Sequence, residues 1–198
     1  MNKYVCIRAQ ALHCLQNVKI RRLDNGLTLV ESERRLTEKG LVCVTDNEYF
    51  REENLPFVQV KSVVLEGTDA VGKTSTIEGL IAQGIVCLDR DLTICKYMLF
   101  DVDMTTRCEA YEEYFKESKN TVIFLVNHSK EELKRRVFSR ERISEFDKQT
   151  YEYNVLYTQT FSEMQNYQTN GKLKLVDCTN LSLLEQIERV KQVVLTCE

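Results

Sequence analysis

The segment Gly67-Thr68-Asp69-Ala70-Val71-Gly72-Lys73-Thr74 constrains the fold of this chain more than any other. It fits the pattern G-x-x-x-x-G-K-[ST] between a short apolar run and a helical stretch. Its glycines free the backbone to curl around a compact anion, and a following helix turns its positive end into that curl. Lys61–Glu66 before the loop reads as a buried parallel strand, and Gly72–Gln83 after it as a helix. A parallel strand needs a crossover to its neighbour, so the unit implies an α/β sheet.

The rest of the chain divides by texture. Residues 1–56 form a small β-rich N-terminal extension. Val18–Leu23 and Leu27–Val30 flank Asp24-Asn25-Gly26, a hairpin signal, and Leu41–Thr45 is a third strand. Asn2–Gln16 has a weak period and fits either strand or helix. The polar stretch Asn47–Pro56 holds the single proline and marks the boundary. Residues 57–198 alternate strand and helix. Ile85–Leu88, Thr121–Val126 and Lys172–Val176 are the further strands. Leu92–Phe100, Arg107–Ser118, Lys130–Ser139, Asp147–Asn166 and Leu183–Leu195 are the further helices. The expected fold is therefore α/β: a P-loop NTPase-type parallel sheet flanked by helices, preceded by the β-rich extension.

Composition narrows the setting. Hydrophobic residues make up 43% of 198, enough for a real core, and the formal net charge is −3. That balance disfavours a polyanion such as nucleic acid as partner without barring a local basic patch. No run of about 18 apolar residues suggests a membrane span, and the first residues lack a secretory apolar region. The eight cysteines show no C-x-x-C spacing and are scattered through apolar stretches, so they read as reduced core thiols of a cytoplasmic protein.

Chemistry concentrates in three places. In the loop, Gly67, Asp69, Ala70, Val71, Gly72, Lys73, Thr74 and Ser75 are the residues expected to cradle the phosphates of ATP. Lys73 would reach the β- and γ-phosphates, and the Thr74 hydroxyl would ligate Mg²⁺. Asp89-Arg90 ends the next apolar strand. A carboxylate there can hold Mg²⁺ through water or accept a proton, and the arginine can grip a phosphate bidentately. Asp89 reads as a strand-end carboxylate outside the core. The third place is Arg135-Arg136-Val137-Phe138-Ser139-Arg140-Glu141-Arg142. Its four arginines suit a lid that closes cations over a transferring phosphoryl group. Of the only two histidines, His13 has no partner suggested by the sequence, and His128, after the third strand, suits a structural or exposed place more than the lining of the site. Glu109–Glu117 reads as an amphipathic surface helix.

Taken in order, these residues resemble the thymidylate kinase and deoxynucleoside kinase group over about residues 60–198. Val64–Thr74 looks like that group's phosphate loop with its internal aspartate. Leu88-Asp89-Arg90 looks like its Asp-Arg motif, followed by Lys96-Tyr97. Arg136–Asp147 looks like its arginine-rich lid, and Tyr151–Phe161 like the aromatic-spaced helix after the lid. The resemblance implies that Asp69 contacts the acceptor's sugar or the incoming phosphate. It implies that Asp89 serves Mg²⁺ or the acceptor, that Arg90 holds the acceptor phosphate, and that Arg140 and Arg142 reach the transferred phosphoryl group. Two features depart from the group. The connection between the loop helix and the Asp-Arg strand is abbreviated, and the group lacks the N-terminal extension.

The leading expectation is an ATP-dependent kinase acting on a small-molecule nucleoside or nucleoside monophosphate, with room for a homodimer. A kinase for a polynucleotide end or a modified-base hydroxyl would suit an open acceptor site. A nucleotide-gated regulatory module is the third reading. A GTPase would need Asn-Lys-x-Asp, and the sequence has none.

Overall fold

The structure, a computed structural model, describes residues 1–68, 70–90, 102–139 and 155–197. The extension forms a four-stranded antiparallel sheet from β1 (Asn2–Cys6), β2 (Lys19–Arg22), β3 (Thr28–Ser32) and β4 (Leu41–Cys43), in the order β2-β3-β1-β4. The expected hairpin is β2–β3. Gly26, at φ 85°, allows its turn, closed by Leu23 N–H to Leu27 O and Gly26 N–H to Leu23 O, each 2.9 Å. Asn2–Gln16 resolves into both expected forms: strand β1, then a 3-10 helix over Ala9–Cys14. The apolar and basic alternation of β2 buries no face, since it is an edge strand with Ile20 exposed. Lys19 and Arg21 instead ion-pair with buried Glu31 on β3.

The second sheet is parallel throughout, with β5 (Gln59–Gly67), β6 (Ile85–Asp89), β7 (Thr121–Val126) and β8 (Leu173–Asp177) in the order β6-β5-β7-β8. Its helices are α1 (Lys73–Ile81), α2 (Met104–Glu117), α3 (Lys130–Phe138), α4 over residues 155–163 and α5 (Leu183–Thr196). The chain runs from β5 to β6 on one side and then crosses to β7 on the other. The topological switch point therefore lies between the carboxyl ends of β5 and β7, where α/β sheets leave a crevice.

Period-2 alternation sends residues of each central strand to opposite faces. Ile123 and Leu125 of β7 join Val63 and Leu65 of β5 in a cluster with α1 and α5. Val122, Phe124 and Val126 pack with Tyr111 and Phe115 of α2 and Phe161 of α4; the Phe124 and Phe161 rings stack at 4.2 Å. Gly79 lets α1 approach α5 closely, since a Cβ there would lie 2.3 Å from Ile187 Cδ1. The helix over 109–117 is amphipathic as expected, with Tyr111, Tyr114 and Phe115 inward. Leu92–Phe100 and the first part of Asp147–Asn166 lie outside the described residues.

The extension shares the core of the parallel sheet. Val5, Ile7, Leu27, Leu29 and Phe50 belong to the same cluster as Val63 and Leu65. At the β6 edge the Asp89 N–H donates to the Ile7 carbonyl at 3.1 Å. One expectation is corrected. Cys6, Cys87, Cys108, Cys178 and Cys197 are buried free thiols, but Cys14 and Cys43 are exposed, because they sit on the extension's outer surface. Burial pushes the Cys87 and Cys178 thiols up to about 12, which makes them inert packing groups.

Candidate active site

The Gly67–Thr74 loop leaves the carboxyl end of β5 and enters α1. Gly67 (φ 146°), Ala70 (φ 64°) and Gly72 (φ 97°) carry the curl. Gly67 is also forced by packing. A Cβ there would sit 2.6 Å from the Leu125 carbonyl, across the switch point. The buried Lys73 amine folds back over the loop and donates to the Gly67 and Thr68 carbonyls, both at 2.7 Å. Thr74 and Ser75 are exposed on the first turn of α1. That turn has no capping side chain, whereas Asp103, Ser129 and Ser182 cap α2, α3 and α5. Its N–H groups and dipole are thus available to an anion.

The loop is held from behind by Gln186 of α5, which is 2% exposed. Its side-chain amide donates to the Val71 carbonyl at 3.0 Å and the Thr76 hydroxyl at 2.7 Å, and Thr76 donates to the Gly72 carbonyl at 2.9 Å. From the other side Arg136 of α3 approaches the Ala70 carbonyl at 3.5 Å while its Nε donates to Glu132 at 2.8 Å. Hydrogen bonds from Arg135 and Arg136 hold the Glu132 carboxyl down at about 2. Arg135 is thereby engaged on its own helix. Asp69, Arg140 and Arg142 lie outside the described residues.

Two buried carboxylates stand at the strand ends. Glu66 Oε1 accepts from the Gly67 N–H at 3.1 Å and from Arg90 Nε at 3.2 Å. Burial raises its pKa, opposed by the charges of Arg90 and Lys73. Asp89, expected to lie outside the core, is 2% exposed and accepts from Arg8 Nε at 2.9 Å and Nη2 at 2.5 Å, both through Oδ2. The expectation fails because the extension covers the end of β6. Glu66 Oε2 and Asp89 Oδ1 have no hydrogen-bond partner among the described residues. Buried oxygens of this kind retain capacity for a metal-bound water or a hydroxyl. Arg90 adopts φ 50° and bends back so that Nη2 reaches the Gly67 carbonyl at 3.4 Å.

The structure thus brings Lys73, Asp89 and Arg90 to the carboxyl end of one parallel sheet. It adds three residues that the sequence did not single out: Arg8, Glu66 and Gln186. Glu66 had a readable signal, a lone charge in the run Val63-Val64-Leu65. Arg8 and Gln186 had none. His13 and His128 are exposed and take no part.

Comparison of the chain with protein-family models, curated proteins and solved structures returned no match. The class its architecture defines is a mixed α/β protein with a four-stranded parallel sheet flanked by helices.

Proposed function

We propose that this chain is an ATP-dependent kinase that transfers the γ-phosphoryl group to a nucleoside or nucleoside monophosphate. One observation carries the reading: an uncapped helix N-terminus and a buried lysine, Lys73, are joined by a loop with three positive-φ residues at the sheet's switch point. The Lys73 amine donates to the Gly67 and Thr68 carbonyls of the loop. Triphosphate oxygens would take their place and accept from the first-turn N–H groups of α1.

Thr74, exposed on that turn, and the partnerless Oδ1 of Asp89 are the groups that would hold Mg²⁺, which supplies charge neutralisation on the triphosphate. The acceptor oxygen bonds to the γ-phosphorus as the bond to the β–γ bridging oxygen breaks, leaving ADP. With a hydroxyl acceptor, Asp89 Oδ1 would take the acceptor's proton in place of the Mg²⁺ contact, leaving the metal to Thr74 and water, whereas a phosphate dianion has no proton to lose. Arg90 and Arg136 flank the loop and would offset developing charge.

The test is transfer of label from γ-labelled ATP to a panel of nucleosides and monophosphates, with Lys73→Ala as control. Transfer by the wild type that vanishes in the folded variant supports the reading. Equal turnover by both, or none with any acceptor, removes it.

A further inference from the structure

Beside the end of β6 lies an open cavity of about 320 Å³ whose walls, apart from Arg90, come from the extension. Arg8, Gln10 and Ala11 contribute from the end of β1 and the 3-10 helix after it. Glu38 and Lys39 contribute from the turn before β4. Gly40 makes the enclosure possible. It sits at φ 96°, its carbonyl accepts from the Ile7 N–H at 2.9 Å, and a Cβ there would come within 2.7 Å of Arg8 Cβ. Only glycine lets the turn press against Arg8 and bring Lys39 to the same space.

Three cations, Arg8, Lys39 and Arg90, line the cavity with one carboxylate, Glu38. Arg8 and Arg90 are held by the buried Asp89 and Glu66 behind them, so Lys39 supplies the charge not already engaged in an ion pair. Lys39 is exposed and has no acidic partner among the described residues. Arg8 donates Nε and Nη2 to the single oxygen Asp89 Oδ2. A guanidinium carries five N–H donors in a fixed fork, so Arg8 still has donors to offer while its position is locked by a buried carboxylate. A pre-oriented, half-used guanidinium with a second cation beside it is built for a doubly charged anion.

Building on the kinase reading, we propose that this cavity is the acceptor pocket and takes a nucleoside monophosphate. Arg8 and Lys39 of the extension grip its 5′-phosphate. Arg8 bridges the acceptor to Asp89 and sets it against the Gly67–Thr74 loop. The extension thereby does the work of a covering lid on the acceptor side, where the connection between α1 and β6 is short. The cavity volume lies in the range of small-molecule sites.

The experiment is calorimetric titration of the full chain with the common nucleoside 5′-monophosphates, their parent nucleosides and inorganic phosphate. Each is run with and without a non-hydrolysable ATP analogue and Mg²⁺. The expected result is binding of a monophosphate at least about tenfold tighter than its nucleoside, the scale of one good charge-assisted contact. Lys39→Glu, a surface change that leaves the core intact, should weaken that binding at least about tenfold while the analogue's affinity stays within about twofold. Arg8→Lys should weaken it too, because an ammonium cannot reproduce the fork. The proposal is overturned if no monophosphate binds, if Lys39→Glu leaves binding unchanged, or if inorganic phosphate binds as tightly as every monophosphate. Failure of the analogue to bind would count against the kinase reading alone, since the titrations without it still decide the cavity.

Discussion

Arg8 and Asp89 stand 81 positions apart in sequence and meet through two hydrogen bonds, 2.9 and 2.5 Å, to one carboxylate oxygen. Asp89 is almost fully buried and Arg8 partly so. Removing either partner leaves the other with a desolvated, unbalanced charge. Asp89→Asn should therefore cost on the order of 2–4 kcal/mol, somewhat below a fully buried pair because Arg8 keeps some contact with water. A double-mutant cycle with Arg8→Met, read by urea unfolding, should show a coupling of at least about 1 kcal/mol. Additive effects would mean that the pair is incidental. Separately, turnover of Asp89→Asn at a temperature where it is folded should fall by roughly 10²-fold or more if the residue serves the reaction.

Lys73→Ala should lower transfer by at least about 10²-fold and weaken ATP-analogue binding, because the triphosphate loses a buried point charge. Folding should survive, since the Gly67 and Thr68 carbonyls that accept from the amine lie in a loop where water or a ligand can replace it. Intact binding and turnover in a folded variant would assign Lys73 a purely structural role.

Gln186→Ala tests a residue that would touch no substrate. It takes the Gln186 donor from the Val71 carbonyl in a buried setting and leaves the Thr76 hydroxyl only its bond to the Gly72 carbonyl, at a cost of roughly 1–3 kcal/mol. Analogue affinity should drop alongside stability, whereas a loss of stability with unchanged affinity would show that the loop holds its shape without this brace.

The pH dependence of stability should carry the mark of Glu66. Its folded pKa is raised above the ordinary value of 4.5, mainly by burial. The folded state thus holds a proton that the unfolded state has released. The stabilisation is fully present below pH 4.5 and is lost as pH rises through the folded pKa. Urea unfolding of the wild type and Glu66→Gln across that window should give curves that diverge, the wild type losing stability relative to the variant as pH climbs. Parallel curves would refute the assignment.

A chain lacking residues 1–53 should not fold cooperatively. Val5, Ile7, Leu27, Leu29 and Phe50 are lost from the cluster that covers Val63 and Leu65, and burial of each such side chain is worth about 1.5–3 kcal/mol. Sharp thermal unfolding of the shortened chain, with the same enthalpy per residue as the full one, would show that the extension is dispensable to the core.

What the sequence disclosed and what it hid divide by range. The Gly67–Thr74 loop, the strands beside it and the helices after it were legible because each depends on neighbours within one turn or one strand. Thr121–Val126, a clean apolar run, was placed to the residue. The central position of β1 was not legible, because Tyr4-Val5-Cys6 is too short a run to tell strand from helix and its partners lie on β3 and β4. The burial of Asp89 was hidden for the same reason. A carboxylate at a strand end is solvated unless something distant covers it, and nothing in the pattern around Arg8 marks it as that cover. Gln186 occupies a helix position where local rules favour many residues equally. Only Val71 and Thr76, more than a hundred positions away, give it a task.

The brace from Gln186 and the clasp from Arg8 come from opposite ends of the described chain and converge on the strand ends around one loop. During synthesis the loop emerges midway, with Arg8 already available and Gln186 still unmade. A nascent chain stopped between α1 and α5 would carry the complete Gly67–Thr74 sequence without its rear support. The shape of the loop would then be fixed late and abruptly, when α5 clears the ribosome and docks, so that truncated products are left with an unbraced loop.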